Sequence, residues 1–132
     1  MLEKAIVMIG GGKLQMPALR WAREAGLKVL LVDKNIESDK SFNADVFLNA
    51  SGDNFKQLEK FASKMKQKYN IVGCYCGSDF GLISVAKLNK RLGIEGPNIQ
   101  SVHTCLNKEE AKNKMKQAGL PVPESSTLRE LP

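Results

Sequence analysis

Three consecutive glycines, Gly10-Gly11-Gly12, follow the apolar run Ile6-Val7-Met8-Ile9 and precede Lys13 and Leu14. Glycine permits positive φ and lets another molecule approach the backbone closely. A helix starting just beyond such a loop offers unpaired N–H groups and a partial positive charge, which suit a phosphate or carboxylate. The chemistry on offer is anion binding. A tight βα turn with no ligand explains one or two glycines, and three in a row favour a close ligand. Lys13 reads either as an anion contact or as a solvated first-turn lysine.

Asp33 ends a second apolar run, Lys28-Val29-Leu30-Leu31-Val32. There it suits a ribose hydroxyl, as in dinucleotide sites, or an Asx-turn in the loop that follows. The dinucleotide fingerprint requires a further glycine where this chain has Gln15. The reading therefore leans to a structural or substrate-facing Asp33 and a general anion-binding loop. Asp79, after Gly77-Ser78, reads as the N-cap of its helix, a role compatible with substrate contact. Cys74 and Cys76, two apart on a strand, point to one face as buried small hydrophobes. With Cys105 and the lone His103 they make no recognised zinc spacing, so no metal site is expected.

The elements that must position these residues alternate. Residues 4–9, 28–33, 46–48 and 71–76 read as strands, with a short fifth strand at Ile94. Continuous apolar strands of this kind belong to parallel sheets covered on both faces. Helices are expected from about Leu14 to Ala25, with Trp21 in the core. Others run from an Asp53 cap through Phe55, Leu58, Ala62, Met65 and Tyr69, from Asp79 to Leu92, and from Asn107 to Gly119. Residues 34–45 read as a loop. The pattern predicts an α/β, Rossmann-like, doubly wound parallel sheet of about five strands in the order 3-2-1-4-5. Its crevice lies between the carboxyl ends of strands one and four, where the loops at Gly10–Leu14 and Gly77–Asp79 would meet.

The net charge of +6 invites a nucleic-acid reading, but its distribution argues against it. Lys56, Lys60, Lys64, Lys66 and Lys68 share one predicted helix, and Lys108, Lys112, Lys114 and Lys116 another. Glu59, Glu109 and Glu110 are interspersed, and aromatic residues make up only 6%. Solvated helix faces explain this, and a phosphate-rich small ligand also suits a basic surface. No apolar run approaches the roughly 20 residues that span a bilayer. A short strand directly after Glu3 and Lys4, with no signal peptide, and three cysteines together predict a cytoplasmic protein with neither membrane nor nucleic-acid partners.

The second half carries a family resemblance. Gly77-Ser78-Asp79-Phe80 is followed by Leu92-Gly93-Ile94-Glu95-Gly96-Pro97-Asn98, by Leu106-Asn107-Lys108, and by Met115-Lys116-Gln117-Ala118-Gly119-Leu120-Pro121-Val122-Pro123. This succession resembles the N-terminal, pre-ATP-grasp domain of ATP-grasp ligases such as biotin carboxylase, the large subunit of carbamoyl-phosphate synthetase and the purine ribonucleotide ligases.

The resemblance implies that Gly10, Gly11, Gly12, Lys13 and Leu14 face the acceptor substrate, with Asp33, Ser78 and Asp79 nearby. Asp79 stands where the family often has glutamate. Lys108 matches a lysine that reaches nucleotide phosphates, with Asn107 replacing the aspartate before it. Residues 1–120 would be the pre-ATP-grasp domain. Residues 121–132 would link it to ATP-grasp lobes that hold ATP and Mg2+ in the full-length parent. The expected partners are a small carboxylate or phosphorylated substrate and those lobes, with a homodimer left open. The expected fragment folds, binds no cofactor tightly and does not catalyse.

Overall fold

The computed structural model describes residues 1–126, without the side chains of residues 39–41. Its strands are β1 (Glu3–Ile9), β2 (Lys28–Asp33), β3 (Val46–Asn49) and β4 (Tyr69–Tyr75). Its helices are α1 (Met16–Glu24), α2 (Glu37–Phe42), α3 (Phe55–Met65), α4 (Asp79–Leu92), α5 (Ile99–Leu106) and α6 (Lys108–Gln117). A 3-10 turn, Lys13–Gln15, leads into α1. The chain divides into two compact units, residues 1–102 and 103–132, with the boundary inside α5.

The first unit holds an all-parallel sheet in the order β3-β2-β1-β4. Strand residues alternate between its faces. Ala5, Val7, Ile9, Leu30 and Val32 point to one face, against Leu58, Phe61 and Ala62 of α3 and Val85 and Leu88 of α4. Met8, Val29 and Leu31 point to the other, against Leu19 of α1 and Phe42 of α2. Both faces are dry, which is why these strands read as continuous rather than alternating apolar runs.

The sheet has four strands among the described residues, so the expected fifth strand at Ile94 is corrected. A side chain does part of its work. Buried Asn89 of α4 accepts the Cys74 N–H through Oδ1 at 3.1 Å. Gly96 then fits closely beside that amide, where a Cβ would fall 2.5 Å from Asn89 Nδ2. Ile94 packs on the core without joining the sheet.

Residues 34–45 are not all loop. Asn35 Oδ1 accepts the Glu37 N–H at 3.0 Å and starts α2, a short polar helix with no apolar periodicity to betray it. Asn54, not Asp53, caps α3 by accepting the Gln57 N–H. Tyr69 begins β4, and α5 fills a stretch to which the sequence pattern assigns no element. Trp21 is 67% exposed, not core. Leu19 and Ala22 take the inward face of α1, and Trp21 lies about 200° round the helix from Leu19. Gly26, Gly93 and Gly119 all have positive φ just beyond helix ends, as C′ glycines do.

In the second unit, Asn107 caps α6 by accepting the Glu110 N–H at 3.1 Å. Residues 120–126 form neither helix nor strand. The extended stretch expected at 122–127 runs on into residues outside those described.

Candidate functional site

The carboxyl ends of β1 and β2 deliver the glycine loop and Asp33 side by side. Gly10 continues the sheet, its N–H donating to Val32 O at 2.7 Å. It then turns with φ +91°, and a Cβ there would collide with the Gln15 amide. Gly11 donates its N–H to Asp33 Oδ2 at 2.6 Å. The same oxygen accepts Ser38 Oγ at 2.9 Å, and Oδ1 accepts the Asn35 N–H at 2.8 Å, an Asx-turn. Burial pushes the Asp33 carboxyl up, but hydrogen bonds from Asn35, Gly11 and Ser38, with the Lys34 charge, outweigh it. The net effect holds the carboxyl below its ordinary value. Asp33 thus braces the loop from within.

After Gly12 the chain tightens, with the Gln15 N–H on Gly12 O at 2.9 Å. Pro17 then sits in the first turn of α1, where its missing N–H costs nothing. Gln15 is buried although polar, with 7% of its surface exposed. Its Oε1 accepts the Gly77 N–H at 3.0 Å across 62 residues of sequence. The residue that breaks the dinucleotide fingerprint is therefore the tie between the β1–α1 and β4–α4 loops. The Phe80 ring lies close over Gly10 and Gly52, and a Cβ on Gly52 would fall 2.6 Å from Phe80 Cε2.

These loops surround a cleft of about 510 Å³ at the β1/β4 switch in strand order. Of the residues singled out from sequence, Gly10, Gly12, Lys13, Leu14, Asp33 and Ser78 line it. Gly11 and Asp79 do not. Gly11 is buried, and a Cβ there would meet Ser38 Cβ at 2.8 Å and Leu31 Cδ2 at 3.2 Å, so it serves packing. Asp79 is the first residue of α4 and not its cap; extended Ser78 takes the N-cap position without a side-chain bond. Lys108 belongs to the second unit, exposed at the first position of α6.

The cleft also contains Gln15, Lys34, Ser51, Gly52, Asp53 and Phe80, none of them a site candidate in the sequence, where Gln15 stood out only as a break in the fingerprint and Asp53 only as a helix cap. One signal pointed to the middle group. Residues 51–53 follow β3 at the carboxyl edge of a parallel sheet, where such sheets bind ligands. The cleft is amphipathic, with half-exposed Phe80 and fully exposed Leu14 beside lysines, hydroxyls and the Gln15 amide.

Cys74 and Cys76 face the core, as their spacing requires. Burial pushes the Cys74 thiol up to about 12 and also raises that of Cys76, so neither is a ready nucleophile. Among the described residues no three His, Cys, Asp or Glu side chains cluster to hold a metal ion. None of the helices described is long and apolar enough to cross a membrane. In the second unit, Thr104 Oγ1 donates to Glu110 Oε1 at 2.7 Å and accepts from Lys114 Nζ at 3.0 Å, joining α5 to α6. The Thr104 hydrogen bond is the main reason the half-exposed Glu110 carboxyl is held low.

The sequence matches no protein-family model and no curated protein. Solved structures do match. L-amino acid ligase from Bacillus licheniformis superposes with a TM-score of 0.78 at 18% identity, over 100% of this chain and 35% of its own. Phosphoribosylglycinamide synthetase from Anaerococcus prevotii gives 0.73 at 19% identity, over 90% and 30%. N5-carboxyaminoimidazole synthetase from Staphylococcus aureus, complexed with ADP, gives 0.66 at 22% identity, over 89% and 30%. At such identities the likeness is one of fold. The chain thus has an α/β fold that recurs within these synthetases and ligases, and it spans about a third of the length of each.

Proposed function

We propose that this chain is the pre-ATP-grasp domain of an ATP-grasp ligase and that its cleft forms one wall of the site for the small-molecule substrate. One observation carries the reading. Nearly the whole chain superposes on synthetases and ligases three times its length, and its cleft opens at the carboxyl edge of the shared sheet. The motifs from Gly77 to Pro123 point the same way. A dinucleotide site fits less well, because Gln15 occupies the place of the required glycine and Asp33 is engaged by three donors, one from the loop after β1 and two from its own.

In the parent reaction a substrate carboxylate oxygen bonds to the γ-phosphorus of ATP, releasing ADP. An amine or other nucleophile then bonds to the acyl carbon, and phosphate leaves with the C–O electron pair. Magnesium and cationic side chains would offset the charge moving onto phosphate. Those groups belong to the lobes expected beyond Pro123. The residues here bind and orient the substrate: Lys13 and Lys34 attract its anionic part, and Leu14 and Phe80 exclude water from its apolar part. Lys108 is the one nucleotide contact carried by this chain.

The test compares the chain alone with a polypeptide that also carries its natural downstream sequence. The chain alone should bind magnesium-ATP no better than millimolar, because a lone exposed lysine–phosphate contact is worth little. The longer polypeptide should form ADP in a carboxylate-dependent way, and hydroxylamine should trap the acyl group as a hydroxamate. Low-micromolar ATP binding by the chain alone, or tight NAD binding, would refute the proposal.

A further inference from the structure

Gln15 is more than a structural tie. A backbone N–H can pair only with the oxygen of an amide, so the Gly77 bond fixes which way the Gln15 side chain faces. Oε1 is turned to Gly77 and Nε2 is turned away from it. Among the described residues no acceptor meets Nε2. Among the described residues no fully buried side-chain nitrogen or oxygen lacks a partner, so Nε2 reaches the surface, and the surface Gln15 lines is the cleft. The result is a side chain more than nine-tenths buried whose exposed end is an N–H donor group and which cannot flip to present an acceptor. It sits beside the first residues of the 3-10 turn and α1, where backbone donors also point outward. Lys13 and Lys34 line the same cleft. The Asp33 charge is already met by three donors, which leaves Asp53 as the opposing carboxylate.

We infer that Gln15 is a specificity-determining residue of this cleft, its locked amide donating to an oxyanion, carboxylate or phosphate, of the small-molecule substrate. The inference rests on the cleft being the substrate site proposed above and adds which chemical group it selects. A neutral or donor-bearing group in the same place would leave the amide unpaired or face it donor to donor, so the site discriminates against it.

The test is a titration of the 15N-labelled chain at constant ionic strength, with inorganic phosphate in one arm and phenylacetate in the other. The Gln15 side-chain amide signals and the Gly77 amide signal are followed. Saturable movement of the Gln15 signals by one anion, with chloride inert, is expected and identifies phosphate or carboxylate as the group recognised. Gln15→Glu keeps an acceptor for Gly77 but replaces the donor with oxygen. It should leave the Gly77 signal near its wild-type position and weaken binding about tenfold or more. Gln15→Met removes both bonds and should weaken binding similarly, with thermal midpoints reporting whether either variant folds. If an anion moves the Gly12, Lys13 and Leu14 amides while a folded variant binds as well as wild type, the inference fails and the substrate-site reading stands. If neither anion perturbs any residue of the cleft, both fail.

Discussion

The Gly11 N–H donates to Asp33 Oδ2 at 2.6 Å, tying the loop after β1 to the end of β2. The bond is charge-assisted, and Ser38 and Asn35 complete the shell around the carboxylate. A group whose folded carboxyl is held low adds stability above its unfolded value, and that stability is lost as pH falls through the folded value. Asp33→Asn should therefore cost about 1–2 kcal/mol at neutral pH, since three donors lose a charged acceptor. The gap between wild type and variant should narrow as pH falls below 3.8, the ordinary value for this carboxyl. Thermal midpoints from pH 7 to pH 3 check this. A gap that stays constant would mean Asp33 acts through shape alone.

Gly11 and Gly12 are neighbours with opposite surroundings. From sequence, Gly11→Val should harm ligand recognition more than folding if the loop is open to the crevice at that residue. The structure reverses that expectation, because a Cβ at Gly11 runs into Ser38 and Leu31 whereas at Gly12 it meets nothing within 4 Å. Gly11→Val should lose about 1–3 kcal/mol in urea denaturation through overpacking. Gly12→Ala should stay within about 0.5 kcal/mol, because φ of −64° suits any residue. Equal losses at both positions would contradict this geometry.

Asn89 lies in α4 yet serves β4. Replacing it with leucine keeps the number and branching of side-chain heavy atoms but strips the Cys74 N–H of its acceptor. Leaving a buried donor unpaired costs about 1–3 kcal/mol. Native-state hydrogen exchange adds a local readout: the Cys74 amide should lose protection more than those of Val7 and Leu30. Unchanged protection at Cys74 would show that another acceptor takes over.

The three cysteines should differ sharply in reactivity. Cys105 is exposed, while Cys74 and Cys76 are buried. At pH 8 a disulfide reagent should modify one thiol per chain quickly. The other two should react only as the chain unfolds, because burial keeps them protonated. Rapid titration of three thiols under native conditions would argue against the core assigned to β4.

Local physics made much of this molecule legible from the chain alone. Continuous apolar runs announced a parallel sheet covered on both faces, and the order β3-β2-β1-β4 follows the expected course as far as it extends. Gly26 and Gly93 sit at the predicted helix ends because a C′ residue in the left-handed region needs no distant partner. Asn107 capped its helix as expected, since donor and acceptor are three residues apart. What the chain could not reveal depends on contacts distant in sequence. Gln15 looked like a defect in a fingerprint until the fold brought Gly77 to it. Asn89 gave no sign that it would pair with a strand amide in place of a fifth strand. Trp21 read as core by type, but burial depends on which face a neighbour covers. Only the folded sheet decided that Trp21 faces away from it and that Phe80 walls the cleft.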